Sequence, residues 1–439
     1  MEAILASQSV DTDILPPGLS YKPDPTGSFV TAKAERTVFA LGSSYSPGGV
    51  RMITIPIGST TEWLMPDSLV FSALISNEHE TLDLWPASPD ANVLFERVDI
   101  RLGGNLIESV TESARVNELF TRLTMSPSKK INSHQMGFGT QVSSTPPEWD
   151  AAQNHDAAVV PFAAAGVSNT KRIHWKCNLS GLLSQHRALP LFALAGQGLT
   201  ISWFLAPAAD STILSHASVT YSQKYKLTDV KAHCTMITLA DELQESFNSS
   251  LLSGSPIRIP IKKLESMWSY IPTGIPSKFT VPMTRNYTRL ASIYASFAQE
   301  PTEAGKQKLC TSFYVHTGSA ETLAYNWQIG AKRVPDNDVV GFSESWYRLL
   351  NCIGIGGSLS HSTGITHADY ATNSYALAVD LEKIPQLSSS GENVSNVGQL
   401  QLNISGFGTT AAHLPSRCHL VCQTDAIVEC RDTTVELFE

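Results

Sequence analysis

Charge is scarce in this sequence of 439 residues: Asp, Glu, Lys and Arg together make up 16%, against roughly a quarter in an ordinary globular domain. Positive charge is scarcer still. The net charge is −9, and the basic runs are short, such as Lys129-Lys130 and Lys262-Lys263. A protein whose main task is gripping nucleic acid clusters basic side chains against phosphates, so that class is excluded. Low charge also fits two structural readings: surface buried against partners, or a β-rich domain in which Ser, Thr and Asn replace charged residues. The N-terminal stretch lacks a basic segment followed by an apolar one, so no secretory signal is expected. The longest uncharged stretch, 188–209, is broken by Pro190, Gly196 and Gly198. It reads as strand–turn–strand and is a poor membrane span. Cysteine is sparse and odd in number, seven in all. The closest pair, Cys418 and Cys422, would lie roughly 13 Å apart on a strand, too far for a disulfide or a shared metal. Free thiols in a reducing compartment are expected. The sequons at Asn178, Asn248, Asn286, Asn393 and Asn403 are then expected to carry no glycan.

What the sequence does hold is most concentrated at 323–353. Leu323, Tyr325, Trp327 and Ile329 alternate with polar or small residues, the period of a half-buried strand. Gly330 breaks the strand, and Pro335 with Asp336-Asn337-Asp338 marks a turn. Phe342, Trp346, Leu349, Leu350 and Ile353 follow at helical spacing, with Gly354 as a stop signal. The same order occurs earlier. Val98, Ile100 and Leu102 form a strand pattern, Gly103-Gly104 a hairpin turn, and Val116, Leu119, Phe120 and Leu123 a helical stripe. Gly103 and Gly330 are 227 positions apart, which places Phe120 on Tyr347 and Leu123 on Leu350. An internal duplication that divides the chain nearly in half is the first structural expectation.

Along the chain, 1–30 is rich in Pro, Gly and Asp and reads as an arm ordered by contact with something else. Strands follow from about 35 to 76, with Pro56 marking an edge strand or a strand end. A loop of unusual length, about 125–170, calls for a role. Strand patterns return at Ile173, Trp175, Cys177 and Leu179, at Leu199–Leu205, and over 219–238. Residues 240–254 read as a short helix and linker. The second half predicts strands at 257–262, 288–297, 309–317, 322–330, 374–380, 399–405 and 417–430, with a Gly/Ser/His loop at 354–372. The expected fold is all-β: two tandem eight-stranded jelly rolls, each with a short helix and long surface loops. The expected division is 1–30 for the arm, 31–245 for the first roll and 246–439 for the second.

Candidate chemistry is thin, and no catalytic, cofactor-binding or metal residue is assigned. Gly341-Phe-Ser-Glu-Ser345 lacks the second glycine of a hydrolase elbow. Gly354-Ile-Gly356-Gly357 follows a helix, not a strand, so it reads as a helix stop and not a dinucleotide loop. His361, His367 and Asp369 have no zinc-site spacing and read as a polar loop. Glu78, His79 and Glu80 read as solvated loop residues, and Asp336 and Asp338 as turn residues. Trp63, Trp85, Trp203, Trp327 and Trp346 read as core or interface, with sugar stacking as the lesser reading. Carboxylates paired in space for glycoside hydrolysis stay open, because sequence does not show proximity.

Several stretches together resemble one family. They are Trp327-Gln-Ile-Gly-Ala-Lys332-Arg-Val-Pro335 with its Ser-Glu-Ser-Trp-Tyr-Arg-Leu-Leu helix, the passage 375–405, the close HLVCQTDAIVEC, and in the first half FERVDIRLGGNLIESV with ALPLFAL. The pattern is similar to the double jelly-roll major capsid proteins of the lineage that includes adenoviruses, virophages, Polinton-like viruses, giant-virus relatives and tailless bacteriophages. The resemblance implies a structural subunit, not an enzyme, without cofactor. It implies a homotrimer forming a pseudo-hexagonal capsomer, with capsomers tiling an icosahedral shell around double-stranded DNA in the virion. Neighbouring capsomers, vertex or penton proteins and minor capsid proteins are the implied partners, without sequence-specific nucleic-acid binding. The loop at 125–170 would build the outer face, and the arm would lie inward; an internal membrane is left open. The rival class is a two-jelly-roll protein that binds or hydrolyses glycans, which a cluster of carboxylates in a cleft between the rolls would favour.

Overall fold

Strand period and proline placement together set the architecture. A computed structural model describes residues 29–126, 136–138, 170–194, 198–207, 222–271, 278–298, 313–358, 361–372, 374–384, 390–395, 398–408, 414–431 and 434–439. The expected arm and almost all of the expected 125–170 loop lie outside the described residues. Val30, counted with the arm in the sequence reading, already belongs to the first strand.

In the first half, β1 (Val30–Phe39), β10 (Tyr225–Leu239), β4 (Trp63–Asn77) and β7 (Thr170–Trp175) lie side by side in that order. A second sheet runs β3 (Met52–Ile57), β9 (Leu199–Leu205), β5 (Phe95–Leu102), β6 (Asn105–Thr111). Short pieces β2 (Ser44–Tyr45) and β8 (Leu189–Pro190) flank the first sheet. Counting the eight principal strands along the chain, the sheets read 1-8-3-6 and 2-7-4-5. That is jelly-roll order. The second half repeats it. One sheet is β11 (Ile257–Tyr270), β18 (Arg417–Cys430), β13 (Leu290–Ala298), β16 (Ala376–Asp380), with β19 (Val435–Phe438) on β18. The other is β12 (Lys278–Met283), β17 (Leu400–Ser405), β14 (Ala324–Ile329), β15 (Lys332–Val340). The chain is a double jelly roll.

Alternation buries one face of strands such as β17, where Leu400, Leu402 and Ile404 point inward, while the central β13 is buried at every position. The sheets of the first roll close on an aromatic core. Trp203 of β9 lies 5.3 Å from Phe71 of β4 and 4.8 Å from Phe95 of β5, with Trp175 of β7 beside them. In the second roll Phe407 packs on both Phe279 of β12 and Phe297 of β13. Prolines sit where a missing N–H costs least. Pro56, Pro260, Pro282 and Pro335 lie in β3, β11, β12 and β15, each at the edge of its sheet. Pro66, inside β4, falls in a gap in the β4–β10 ladder between Met65 and Val70.

Each roll carries its helix between the fifth and sixth strands, at Ser113–Thr124 and Gly341–Ile353. A third, Asp241–Leu252, joins the rolls. Its Gln244 Oε1 accepts the Trp63 indole N–H at 2.9 Å, and Phe247 packs on the same ring at 5.1 Å. The first hairpin turns through Gly103 and Gly104, both at positive φ, and the second through Gly330 at φ 58°.

The structure departs from the sequence reading in several places, one of them a strand it did not predict, β12 at Lys278–Met283. The turn of the second hairpin is Gly330-Ala331; Pro335-Asp336-Asn337-Asp338 lies within β15, where the ladder jumps from Val334 to Val339 opposite β14. Edge position lets β15 absorb the extra residues. The predicted strand at 309–317 is absent over its described part: Phe313 makes a single bridge to Ser374, and Thr317–Ser319 is a 3₁₀ turn. Before β9, the chain makes only the two-residue β8 and a 3₁₀ turn at Leu191–Ala193. β7 ends at Trp175, so Cys177 and Leu179 are buried in the connection that follows.

Candidate functional site at the seam between the two rolls

The residues that sequence reading weighed for chemistry are taken up by local structure. Ser345 is buried in the second helix and donates to the Gly341 carbonyl at 2.7 Å, while Ser343 is exposed. Gly354, at φ 80°, is the left-handed residue that closes that helix, and its N–H bonds the Asn351 carbonyl. His361 Nδ1 lies 2.7 Å from Ser358 Oγ. His367 and Asp369 belong to a four-residue helix, not an open loop, with Thr366 Oγ1 accepting from the Asp369 N–H. His79 Nδ1 accepts the backbone N–H groups of Thr81 and Leu82; Glu78 and Glu80 are exposed. Asp338 accepts from Asn326 Nδ2 at 2.8 Å and pairs with Arg333, and Asp336 is exposed on β15. Trp63, Trp85, Trp203 and Trp327 are buried, and Trp346 packs on Tyr370. No three His, Cys, Asp or Glu side chains among the described residues gather as metal ligands.

The structure instead concentrates buried polar groups where the two rolls meet. The junction from β6 into the first helix passes through Glu112, at φ 49°, which turns the chain so that the helix lies against the second roll. Thr111 Oγ1 lies 3.0 Å from Ser266 Oγ of β11, and Ser266 Oγ also donates to the Thr111 carbonyl. Glu112 Oε2 is 2.6 Å from Nδ1 of His419 on β18. Burial, with Arg115 nearby, holds the His419 pKa below its ordinary value, against the raising effect of Glu112. Arg115 and Arg122 both stand over the Phe313 ring, 5.6 and 5.0 Å from its centre. Arg122 Nη1 donates to Ser374 Oγ at 2.7 Å, and its carbonyl accepts the Gly364 N–H. Phe120 meets Tyr294 of β13 edge to face at 5.1 Å.

A second part of the seam lies along β6 and β11. Asn105 Nδ2 reaches the Val435 carbonyl at 2.6 Å. The buried Glu108 accepts from Ser180 Oγ and from the Gly181 N–H at 2.9 Å. Burial pushes its pKa up to about 7, against the lowering effect of those bonds and of Lys263. A Cβ on Gly181 would sit 2.1 Å from the Lys262 carbonyl oxygen, so only glycine lets the two rolls approach here. Lys263 is itself paired, with Glu265 at 2.6 Å and with Glu439.

Sequence reading missed this site. Arg115, Glu118 and Arg122 look like the solvated side of an amphipathic helix, yet all three are buried. The signal that was available is the duplication itself: one of two equivalent helices carries more charge on the face that the other leaves open. The chemistry of the seam is adhesive. It offers charge-assisted hydrogen bonds and ring contacts that hold two β-sandwiches in one fixed arrangement.

No protein-family model and no curated protein matches the chain. Solved structures do. The chain superimposes on VP54 of PBCV-1, as fitted into a reconstruction of the virophage Sputnik, with a TM-score of 0.62 and 12% identity over 95% of this chain and 98% of that one. The Faustovirus major capsid protein gives 0.61 at 11% identity, over 100% and 96%. The Sputnik virophage structure by cryo-electron microscopy gives 0.57 at 11%, over 97% and 92%. The structural neighbours of this chain are double jelly-roll major capsid proteins, and its described residues share their fold.

Proposed function

We propose that this chain is a viral major capsid protein, a building block and not an enzyme. The observation that carries the reading is the fused pair of like rolls, matched along nearly their whole length by capsid proteins. Two similar rolls held rigidly in one chain present six similar units when three copies close a ring. Such a capsomer has a nearly hexagonal outline and packs edge to edge. In this reading the rolls are units 31–245 and 246–439, and the arm 1–30 faces inward toward neighbours, minor proteins or a membrane. Capsomers tile an icosahedral shell around double-stranded DNA, meeting vertex and minor capsid proteins in the virion. The acidic net charge of −9 suits a shell that does not itself condense the genome.

The test is the mass of the purified protein by light scattering, followed by electron microscopy. The expected result is a particle of three times the 47.6 kDa chain, which forms hexagonal plates or shells on concentration. A folded protein that stays monomeric at every concentration overturns the reading. Protease access to the arm on intact particles overturns its inward placement.

A further inference from the structure

Just beyond the Glu112–His419 pair, β11 ends in an aromatic corner. Trp268 faces His419 in the ladder, and Tyr270 faces Arg417. Two positions apart, the rings share one face of the strand. Trp63, Trp85, Trp203 and Trp327 are buried, but Trp268 is 44% exposed and Tyr270 57%. Their rings stand at 89° with centres 4.9 Å apart, so they form two walls at a right angle. The Arg417 guanidinium lies 5.1 Å from the centre of each ring, and its Nη2 donates to the Tyr270 hydroxyl oxygen at 3.3 Å. Ring contact on two sides fixes a positive charge in the corner.

Strand pairing places this corner at the end of the molecule away from the arm. Val30 pairs with Leu239 at one end of the first roll. The helix Asp241–Leu252 carries the chain from there toward Ile257, and its Gln244 holds Trp63, which faces Ile237. Ile257 faces Cys430, Cys430 faces Val435, and Asn105 of the first hairpin bonds the Val435 carbonyl. Thr111 meets Ser266 farther along the same two strands, so β6 and β11 run the same way. Tyr270 is the last residue of β11, roughly 40 Å from Ile257 at the rise of an extended strand.

The size and charge of the corner select its ligand. Trp, Tyr and Arg also anchor protein interfaces, but a stable interface covers about 800 Å² on each partner. The open parts of these two rings come to about 200 Å². A net charge of −9 disfavours a nucleic-acid strand. A sugar ring fits better. Its C–H face lies on an aromatic ring while its hydroxyls stay in water, and a carboxylate on it pairs with a guanidinium.

We propose that Trp268, Tyr270 and Arg417 bind an acidic sugar, a pyranose ring stacked on Trp268 with its carboxylate on Arg417. If the arm faces inward, the corner faces outward, toward the glycans of a cell surface. That placement rests on the capsid reading; the binding site does not.

The test uses the full chain with sialyllactose, and with lactose as its neutral counterpart, read by saturation-transfer NMR and titration. Sialyllactose should bind about tenfold or more tightly than lactose. Trp268→Ala should weaken sialyllactose binding by about tenfold or more, and Arg417→Gln should remove the preference over lactose. Trp268 is exposed, so the melting temperature of its variant should match the wild type. Tyr347→Ala, which removes an exposed ring elsewhere, should bind as the wild type does. Equal binding of the two sugars overturns the role given to Arg417. No binding of either, or binding unchanged in Trp268→Ala, overturns the site. An oligothymidylate that binds where sialyllactose does not overturns the ligand class. All these results leave the capsid reading standing. A chain that binds the sugar yet stays at 47.6 kDa at every concentration supports the site and overturns the capsid reading and the outward placement.

Discussion

Arg122 of the first helix and Ser374 of the second roll are joined by a buried hydrogen bond of 2.7 Å across 252 positions of sequence. The same guanidinium bonds Glu118 at 2.8 Å and covers the Phe313 ring. Arg122→Met would leave the Glu118 carboxylate buried without its cation. Breaking one side of a buried pair costs about 3–5 kcal/mol. Urea unfolding of the variant should show that loss. A loss below about 1 kcal/mol would mean that Arg122 contributes little net stability.

Glu108 makes the stability of the molecule depend on pH. Its pKa is pushed up to about 7 by burial, from an ordinary 4.5. Between those values the folded protein holds a proton that the unfolded chain has released. Stability from this group is therefore complete below about pH 4.5 and is lost as pH rises to about 7, roughly 3 kcal/mol in all. Glu108→Gln fixes the neutral form, and its amide can still bond Ser180 and Gly181. The difference in melting temperature between variant and wild type should grow in the variant's favour from pH 5 to pH 8. A constant difference across that range would show that Glu108 is charged throughout.

The buried thiols should be chemically silent in the native state. Burial raises the pKa of Cys422 and Cys352 to about 12, and of Cys234 and Cys430 to about 11. It raises Cys177 and Cys418 as well. All six described cysteines are free. A thiol reagent at pH 8 should find the five fully buried ones, Cys177, Cys234, Cys418, Cys422 and Cys430, unreactive until urea is added, then count all seven in the chain. Fast reaction of several thiols in the folded protein would contradict their burial.

What was legible in the sequence was local. Period-2 alternation located β14 and β17 almost to the residue, because one buried face dictates that pattern. Gly103 and Gly330 marked hairpins because few other residues accept a positive φ. Pro56 marked an edge strand for want of an N–H. The seam was illegible for the opposite reason. Thr111–Ser266 and Arg122–Ser374 join residues 155 and 252 positions apart, and a charged side chain gives no local sign of which protein surface will cover it. Pro335 misled because a turn sequence also suits a bulged edge strand, and the choice is made by the neighbouring β14.

Gly181 sets how closely the rolls can approach. A Cβ there would meet the Lys262 carbonyl oxygen at 2.1 Å and the Lys262 nitrogen at 2.9 Å, both parts of the β11 backbone. Neither atom can swing aside as a side chain would, so Gly181→Ala must push the connection after β7 away from β11. Overpacking of this kind costs about 1–3 kcal/mol, and here it also strains the Glu108 bonds to Ser180 and Gly181. Gly357 is the control, since a Cβ there meets nothing within 4 Å. Gly181→Ala should lower the melting temperature and the yield of assembled particles, while Gly357→Ala should change neither. If both variants melt with the wild type, the rolls are free to move apart at this point, and the seam does not require glycine there.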